Sequence, residues 1–170
     1  MSNSITQSDR LETAAAKQEI AELRCLYAKA TDLIGTGATA AVAEGRAIYH
    51  RIFTPDAVIA ASVADSVSGP DAWVDVVVEA LEKYEVTQHL IGTQLVDIDQ
   101  LPSAKNANAG SASMQSYLQA WHSKANGHLW LFMGSYNDQL VYSQTHGWQI
   151  SNMMLNEIAQ ENRQLGTEES

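Results

Sequence analysis

The chain has 170 residues, enough for one domain with a real core and too few for two ordinary ones. Twenty acidic against ten basic residues give a formal net charge of -10, and no Lys/Arg cluster exists to displace counterions from a phosphate backbone, so a nucleic-acid partner is not expected. The one cysteine, Cys25, precludes an intrachain disulfide and fits a reducing compartment, and no apolar run approaches a membrane span.

The first ten residues are polar, without a basic patch leading into an apolar stretch, so they read as a disordered segment, with no secretory signal visible and a cytoplasmic location expected. Thr13 is a suitable N-terminal cap for a first helix, with Asp9 or Ser8 as alternatives. Ile20, Leu23, Tyr27, Ala30 and Ile34 then recur at steps of three and four, which predicts an amphipathic helix. A second stripe of small residues, Ala14, Ala21, Cys25 and Ala28, leads to Asp32. In that stripe Cys25 reads as a buried, inert thiol. Gly35 and Gly37 stop the helix. A second helix is expected from Ala38 to about Arg51, then a strand through Phe53–Ile59, then a third helix opened by Gly69-Pro70 and ending near Tyr84.

From Val86 the period becomes two. Val86–Asp99, Ser113–Ser123, His128–Tyr142 and Trp148–Leu155 are four long strand candidates. A small polar loop over 101–110, expected to be mobile, joins the first two, and Asn126-Gly127 turns the next hairpin. Residues 11–158 form the expected domain, and 159–170 read as a polar, disordered tail. Helices followed by a meander of strands predict an α+β class, with helices packed on one face of a curved sheet.

Several short segments, in order, resemble the SnoaL-like branch of the nuclear-transport-factor-2-like superfamily. They are Ile20-x-x-Leu23-x-x-x-Tyr27 with Asp32, Ile52-Phe53-Thr54-Pro55-Asp56-Ala57-Val58, and Gly69-Pro70-Asp71-Ala72. Thr87-Gln88-His89-Leu90-Ile91-Gly92, Gly134-Ser135-Tyr136-Asn137-Asp138 and Gly147-Trp148-Gln149-Ile150 complete the set. The resemblance implies a cone-shaped antiparallel sheet wrapped around a long N-terminal helix, a deep pocket and a homodimer. The same scaffold hosts dehydratases, dehydrochlorinases, isomerases and cyclases, so the fold alone does not choose an activity.

Asp32 and His89 match the catalytic pair of the dehydratase and dehydrochlorinase relatives. A carboxylate that accepts an imidazole N–H fixes the ring's tautomer and frees the other nitrogen to take a proton. The plainer reading makes Asp32 a solvated residue at a helix end and His89 a half-buried strand residue. Tyr27 and Tyr49 are candidate donors to a carbonyl or oxyanion. Thr31 stands where the dehydratase relative has one of its tyrosines. His122 is the candidate second histidine, although the sequence favours an exposed residue at a strand end.

Trp130, Phe132, Gly134, Tyr136 and Asp138 share one strand face, and Leu129, Leu131, Met133 and Ser135 the other; alternation does not say which lines the pocket. Trp121, Trp130, Met153 and Met154 are candidates for an apolar wall or, more simply, for core, and Asn152 for an amide contact to a ligand. The five histidines lack the spacing of a metal site, and no glycine-rich phosphate loop follows a strand, so neither a metal nor another cofactor is expected. The expected function is that of a cofactor-independent lyase or isomerase acting on a small, largely apolar organic molecule. The alternatives are a ligand-binding module without turnover and an assembly subunit.

Overall fold

The computed structural model describes residues 6–62, 64–103 and 106–165. Helix α1 (Gln7–Gly35) begins earlier than the expected cap at Thr13. Thr6 caps it instead: its hydroxyl accepts the Asp9 backbone N–H at 3.1 Å, and the Asp9 carboxylate accepts the Thr6 N–H at 2.8 Å. Residues 7–10 of the expected disordered segment are therefore helical, while 1–5 lie outside the described residues. The predicted stripe Ile20, Leu23, Tyr27, Ala30 and Ile34 is buried. Cys25 is not: its side of the helix faces a solvent groove rather than the core, which corrects the expectation of a buried thiol.

Helix α2 (Thr39–Ile52) crosses α1 at Gly45, where a Cβ would stand 2.6 Å from Ile34 Cγ1 and 2.8 Å from the Ala30 carbonyl oxygen. Only a hydrogen fits there, so the two helices approach closely and Tyr49 is pressed into the core. Helix α3 (Pro70–Leu81) opens with proline in its first turn, as expected, after Gly69 at φ 82°. No helix among the described residues is long and apolar enough to cross a membrane.

Six strands form one sheet: β1 (Phe53–Ala61), β2 (Ala64–Ser68), β3 (Val86–Gln100), β4 (Gly110–Ser123), β5 (His128–Ser143) and β6 (Gly147–Gln164). Their spatial order is β2-β1-β6-β5-β4-β3, with β2 and β3 as free edges, so the curved sheet does not close. Every neighbouring pair is antiparallel except β1 and β6, which run parallel; at that seam the expectation of an antiparallel sheet is corrected. Register shifts after Gly92 and Ile98 place extra residues in β3, and those opposite Met133 and Gln139 of β5 place extra residues in β6; such bulges bend strands.

Strand β6 also runs beyond Leu155. Ala159–Gln164 pair with His128–Met133, and the Leu165 N–H donates to the Gly127 carbonyl at 2.8 Å, so the tail expected to be disordered from residue 159 is ordered strand to residue 164. Residues 166–170 lie outside the described residues, as do Ala104 and Lys105 of the loop expected to be mobile. Within that loop Ser103 and Asn106 are bridged. The helices cover the inner face of the sheet. On β5 this face carries Trp130, Phe132, Gly134, Tyr136 and Asp138, which settles the alternation left open by sequence.

Candidate active site

The last turns of α1 lie along edge strand β3, and this brings Asp32 to His89. His89 Nδ1 is 2.7 Å from Asp32 Oδ1, and the His89 backbone N–H donates to Oδ2 at 3.2 Å. Thr87 Oγ1 adds a third hydrogen bond to Oδ1 at 3.0 Å. A carboxylate only accepts, so it selects the tautomer with the proton on Nδ1 and leaves the Nε2 lone pair free. Thr87 was not singled out by the sequence. Its place two residues before His89, on the same strand face, is the signal that would have found it.

His89 also lines a cavity of about 170 Å³ between α1, α3 and the inner sheet face. Its side chain is 8% exposed, against 30% for Asp32, which faces an outer groove. The dyad therefore stands in the cavity wall. The remaining lining is mostly apolar, including Trp73, Val77, Leu118 and Phe132.

His122 is the largest correction to the sequence reading. It is 2% exposed rather than a solvated strand end, and it lines the cavity beside His89, with ring centroids 5.4 Å apart and planes perpendicular. Trp130 packs against it at 4.5 Å, and its Nδ1 is 3.3 Å from the Trp130 carbonyl oxygen. That oxygen also only accepts, so here too Nδ1 carries the proton. Burial, reinforced by the neighbouring His89 ring and the Lys83 ammonium, lowers the pKa of His122 to about 4. It is a neutral imidazole near pH 7.

Tyr27 and Tyr136 both line the cavity, their rings edge to face at 5.5 Å. Trp73 Nε1 donates to the Tyr27 hydroxyl at 3.1 Å. Tyr49 is not among the cavity-lining residues: it stacks on Tyr27 at 5.3 Å, and its hydroxyl is 2.6 Å from Thr31 Oγ1. Close packing at Gly45 places it one layer behind, which corrects its candidacy as a ligand contact. Burial raises the pKa of all three phenols, so they stay protonated and can act as donors.

Trp130 stands in the cavity, but the other members of the expected apolar wall separate. Met153 packs against Arg24, whereas Met154 is exposed and Trp121 does not line the cavity. Asn152 is likewise exposed on β6 and makes no contact with the cavity, because alternation with the buried Met153 turns it outward. The sequence reading missed Arg24. It is fully buried, paired with Asp138 and stacked on Tyr136 and Tyr27, with its guanidinium carbon 3.9 Å and 4.6 Å from their centroids. Burial holds the Asp138 carboxyl above its ordinary pKa despite that partner. The signal was present: Ile20, Arg24, Tyr27 and Thr31 recur at helical steps, and Asp138 shares the Tyr136 strand face.

Among the described residues no three His, Cys, Asp or Glu side chains come together as a metal site. What the arrangement can do chemically is accept a proton at His89 Nε2 inside an apolar enclosure, with the resulting imidazolium stabilised by Asp32.

Comparison with curated proteins finds no relative. Among solved structures, a protein from Novosphingobium aromaticivorans DSM 12444 assigned as a scytalone dehydratase superposes with a TM-score of 0.69 at 15% identity, over 91% of this chain and 92% of that one. A type 2 hexachlorocyclohexane dehydrochlorinase gives a TM-score of 0.72 at 13% identity, over 95% and 99%. The type 3 enzyme from Novosphingobium barchaimii LL02 gives 0.71 at 12% identity, over 91% and 94%. At such identities the likeness shows the α+β fold. A family model described as a SnoaL-like domain matches residues 12–154, and the chain belongs to that family.

Proposed function

We propose that this protein is a cofactor-independent lyase or isomerase that removes a proton from carbon in a small, largely apolar molecule. The observation that carries the reading is the His89–Asp32 hydrogen bond of 2.7 Å in the wall of the cavity that His89 lines. In an elimination, His89 Nε2 takes the proton next to a leaving group, the C–H electron pair becomes the new double bond, and the leaving group departs with its own pair. Next to a carbonyl the same abstraction gives an enolate and hence isomerisation. Tyr27 and Tyr136, neutral at working pH, are the donors for a developing oxyanion, and His122 offers a neutral imidazole to the leaving group or to a substrate hydroxyl. Names of the structural neighbours, a dehydratase and two dehydrochlorinases, favour elimination over the alternatives.

The test is a panel of dehydration, dehydrohalogenation and double-bond isomerisation substrates, assayed with wild type, His89→Ala and Asp32→Asn. Turnover by wild type that both variants lose supports the reading. Turnover that survives His89→Ala would sink it. The apolar lining of the cavity also fits a binding module, and tight ligand binding without turnover, unaffected by His89→Ala, would favour that reading instead. The expected assembly is a cytoplasmic homodimer. Support for the dimer is the exposure of Leu90, Tyr117 and Ile158 on strands β3, β4 and β6, and a molar mass in solution twice that of the chain would bear it out.

A further inference from the structure

Just beyond the cavity-lining residues lies an aromatic rim. Tyr84, which follows α3, stacks on Trp130 at 5.8 Å with the rings only 13° from parallel, and sits 5.1 Å from the His122 ring. Two ammonium groups converge on this one ring: Lys83 Nζ is 5.4 Å and Lys124 Nζ 5.6 Å from the Tyr84 centroid. They come from different places, the end of α3 and the β4–β5 turn, in a chain with only ten basic residues against twenty acidic ones. Arg24, Arg46 and Arg163 are each bound to a carboxylate. Lys83 and Lys124 make no ion pair among the described residues, although Glu82 and Glu85 flank Lys83 in sequence. The charge of Lys83 is felt at His122, inside the cavity.

We propose that Lys83 and Lys124 form an anion subsite at the cavity rim, so that the molecule taken up carries a carboxylate on an apolar, ring-sized body. The inference rests on the cavity being the ligand site, as proposed for the function. The cavity suits the body: at about 170 Å³ it compares with apolar cavities of about 150 Å³ that take benzene. The rim suits the charge. Lys83 is exposed and Lys124 half-buried, but ammonium groups drawn to one aromatic ring are localised there, so a carboxylate meets them with less ordering cost than it would two free surface lysines. An acid longer by two or three bonds than the ring would place the ring near His89 and His122 and its carboxylate at Lys83 and Lys124.

Calorimetric titration of 3-phenylpropanoate and its neutral isostere 3-phenylpropanamide, with wild type and K83M/K124M, tests this. Wild type is expected to bind the acid about five- to ten-fold tighter than the amide at low salt, with the preference shrinking as salt rises. The double variant is expected to bind the amide as wild type does and to show no preference for the acid. Equal binding of the two probes by wild type, or a preference that survives in K83M/K124M, overturns the anion subsite while the cavity reading stands. Failure of both probes to bind wild type overturns the cavity reading and the subsite with it.

Discussion

Asp32 holds His89 at two points: Oδ1 lies 2.7 Å from the ring Nδ1, and Oδ2 accepts the backbone N–H of the same residue at 3.2 Å. One carboxylate thus fixes both the strand and the imidazole it carries, so ring orientation does not depend on side-chain packing alone. Asp32→Asn changes this in a defined way, because an amide can present its NH2 to the ring and favour the tautomer with the proton on Nε2. The expected result is a loss of turnover on the order of 10²- to 10⁴-fold, with affinity for 3-phenylpropanamide unchanged. Ligand affinity that fell in step with turnover would mean that Asp32 shapes the cavity rather than the base. A proton spectrum offers a check without substrate: the far-downfield Nδ1–H resonance of His89 should vanish in the variant.

His122 makes stability fall on the acid side of neutrality. Its pKa is about 4 in the fold against 6.5 for the free side chain, so between those values the unfolded chain binds a proton that the folded chain does not. Stability then rises with pH through this window and is lost as pH falls from 6.5 towards 4. The expected loss between pH 7 and pH 5 from this one group is about 2 kcal/mol. Urea unfolding at the two pH values, for wild type and His122→Phe, checks it. A slope with pH that is the same in both proteins would remove His122 as the cause.

Arg24 and Asp138 depend on each other. Removing one partner leaves a buried charge without compensation, so Arg24→Met or Asp138→Leu alone is expected to cost about 3–5 kcal/mol. The double variant R24M/D138L replaces the pair with apolar groups of similar size and is expected to recover most of that loss. Denaturant titrations of all four proteins close the cycle, and two single losses that simply add would refute the coupling.

At Gly45 the expectation is overpacking. A Cβ there must displace Ile34 or the Ala30 carbonyl, so Gly45→Ala should destabilise by about 1–3 kcal/mol, although alanine is the better helix former. Thermal unfolding reads the sign directly. A rise in midpoint would show that α1 and α2 can move apart at no cost.

The long strands and the helix faces were open to reading because each repeats a period over many residues. Ile20 to Ile34 fell on the core side at steps of three and four, and β3 to β6 began within a few residues of their expected starts. The errors came where a period gives no direction. Asn152 and Met153 alternate whichever way the strand faces, and only the pairing with β1 and β5 turns Met153 inward. Cys25 lies in a stripe of small residues, which marks a close neighbour on one side of the helix but also suits an open groove. His122 looked solvated because Ser123 and Lys124 come next in the chain; Tyr84 and Trp130, from elsewhere, bury it. The extension of β6 was hidden by polar residues over Gln160–Gln164, which pair through their backbone with no apolar alternation to announce them.

The placement of β6 has a consequence for how the molecule comes into being. Of the six strands it is made last, after all the others, yet it lies inside the sheet, flanked by β1 on one side and β5 on the other. Until it arrives, the β1–β2 hairpin has no neighbour and cannot join the meander formed by β3, β4 and β5. Helix α1 can already rest on β3 through Asp32 and His89, but the first hairpin stays outside the sheet until β6 forms, so closure of the sheet waits on this strand. A chain cut before Gly147 would lack the seam between its two halves, so truncation from this end is expected to abolish folding as a whole rather than trim an edge.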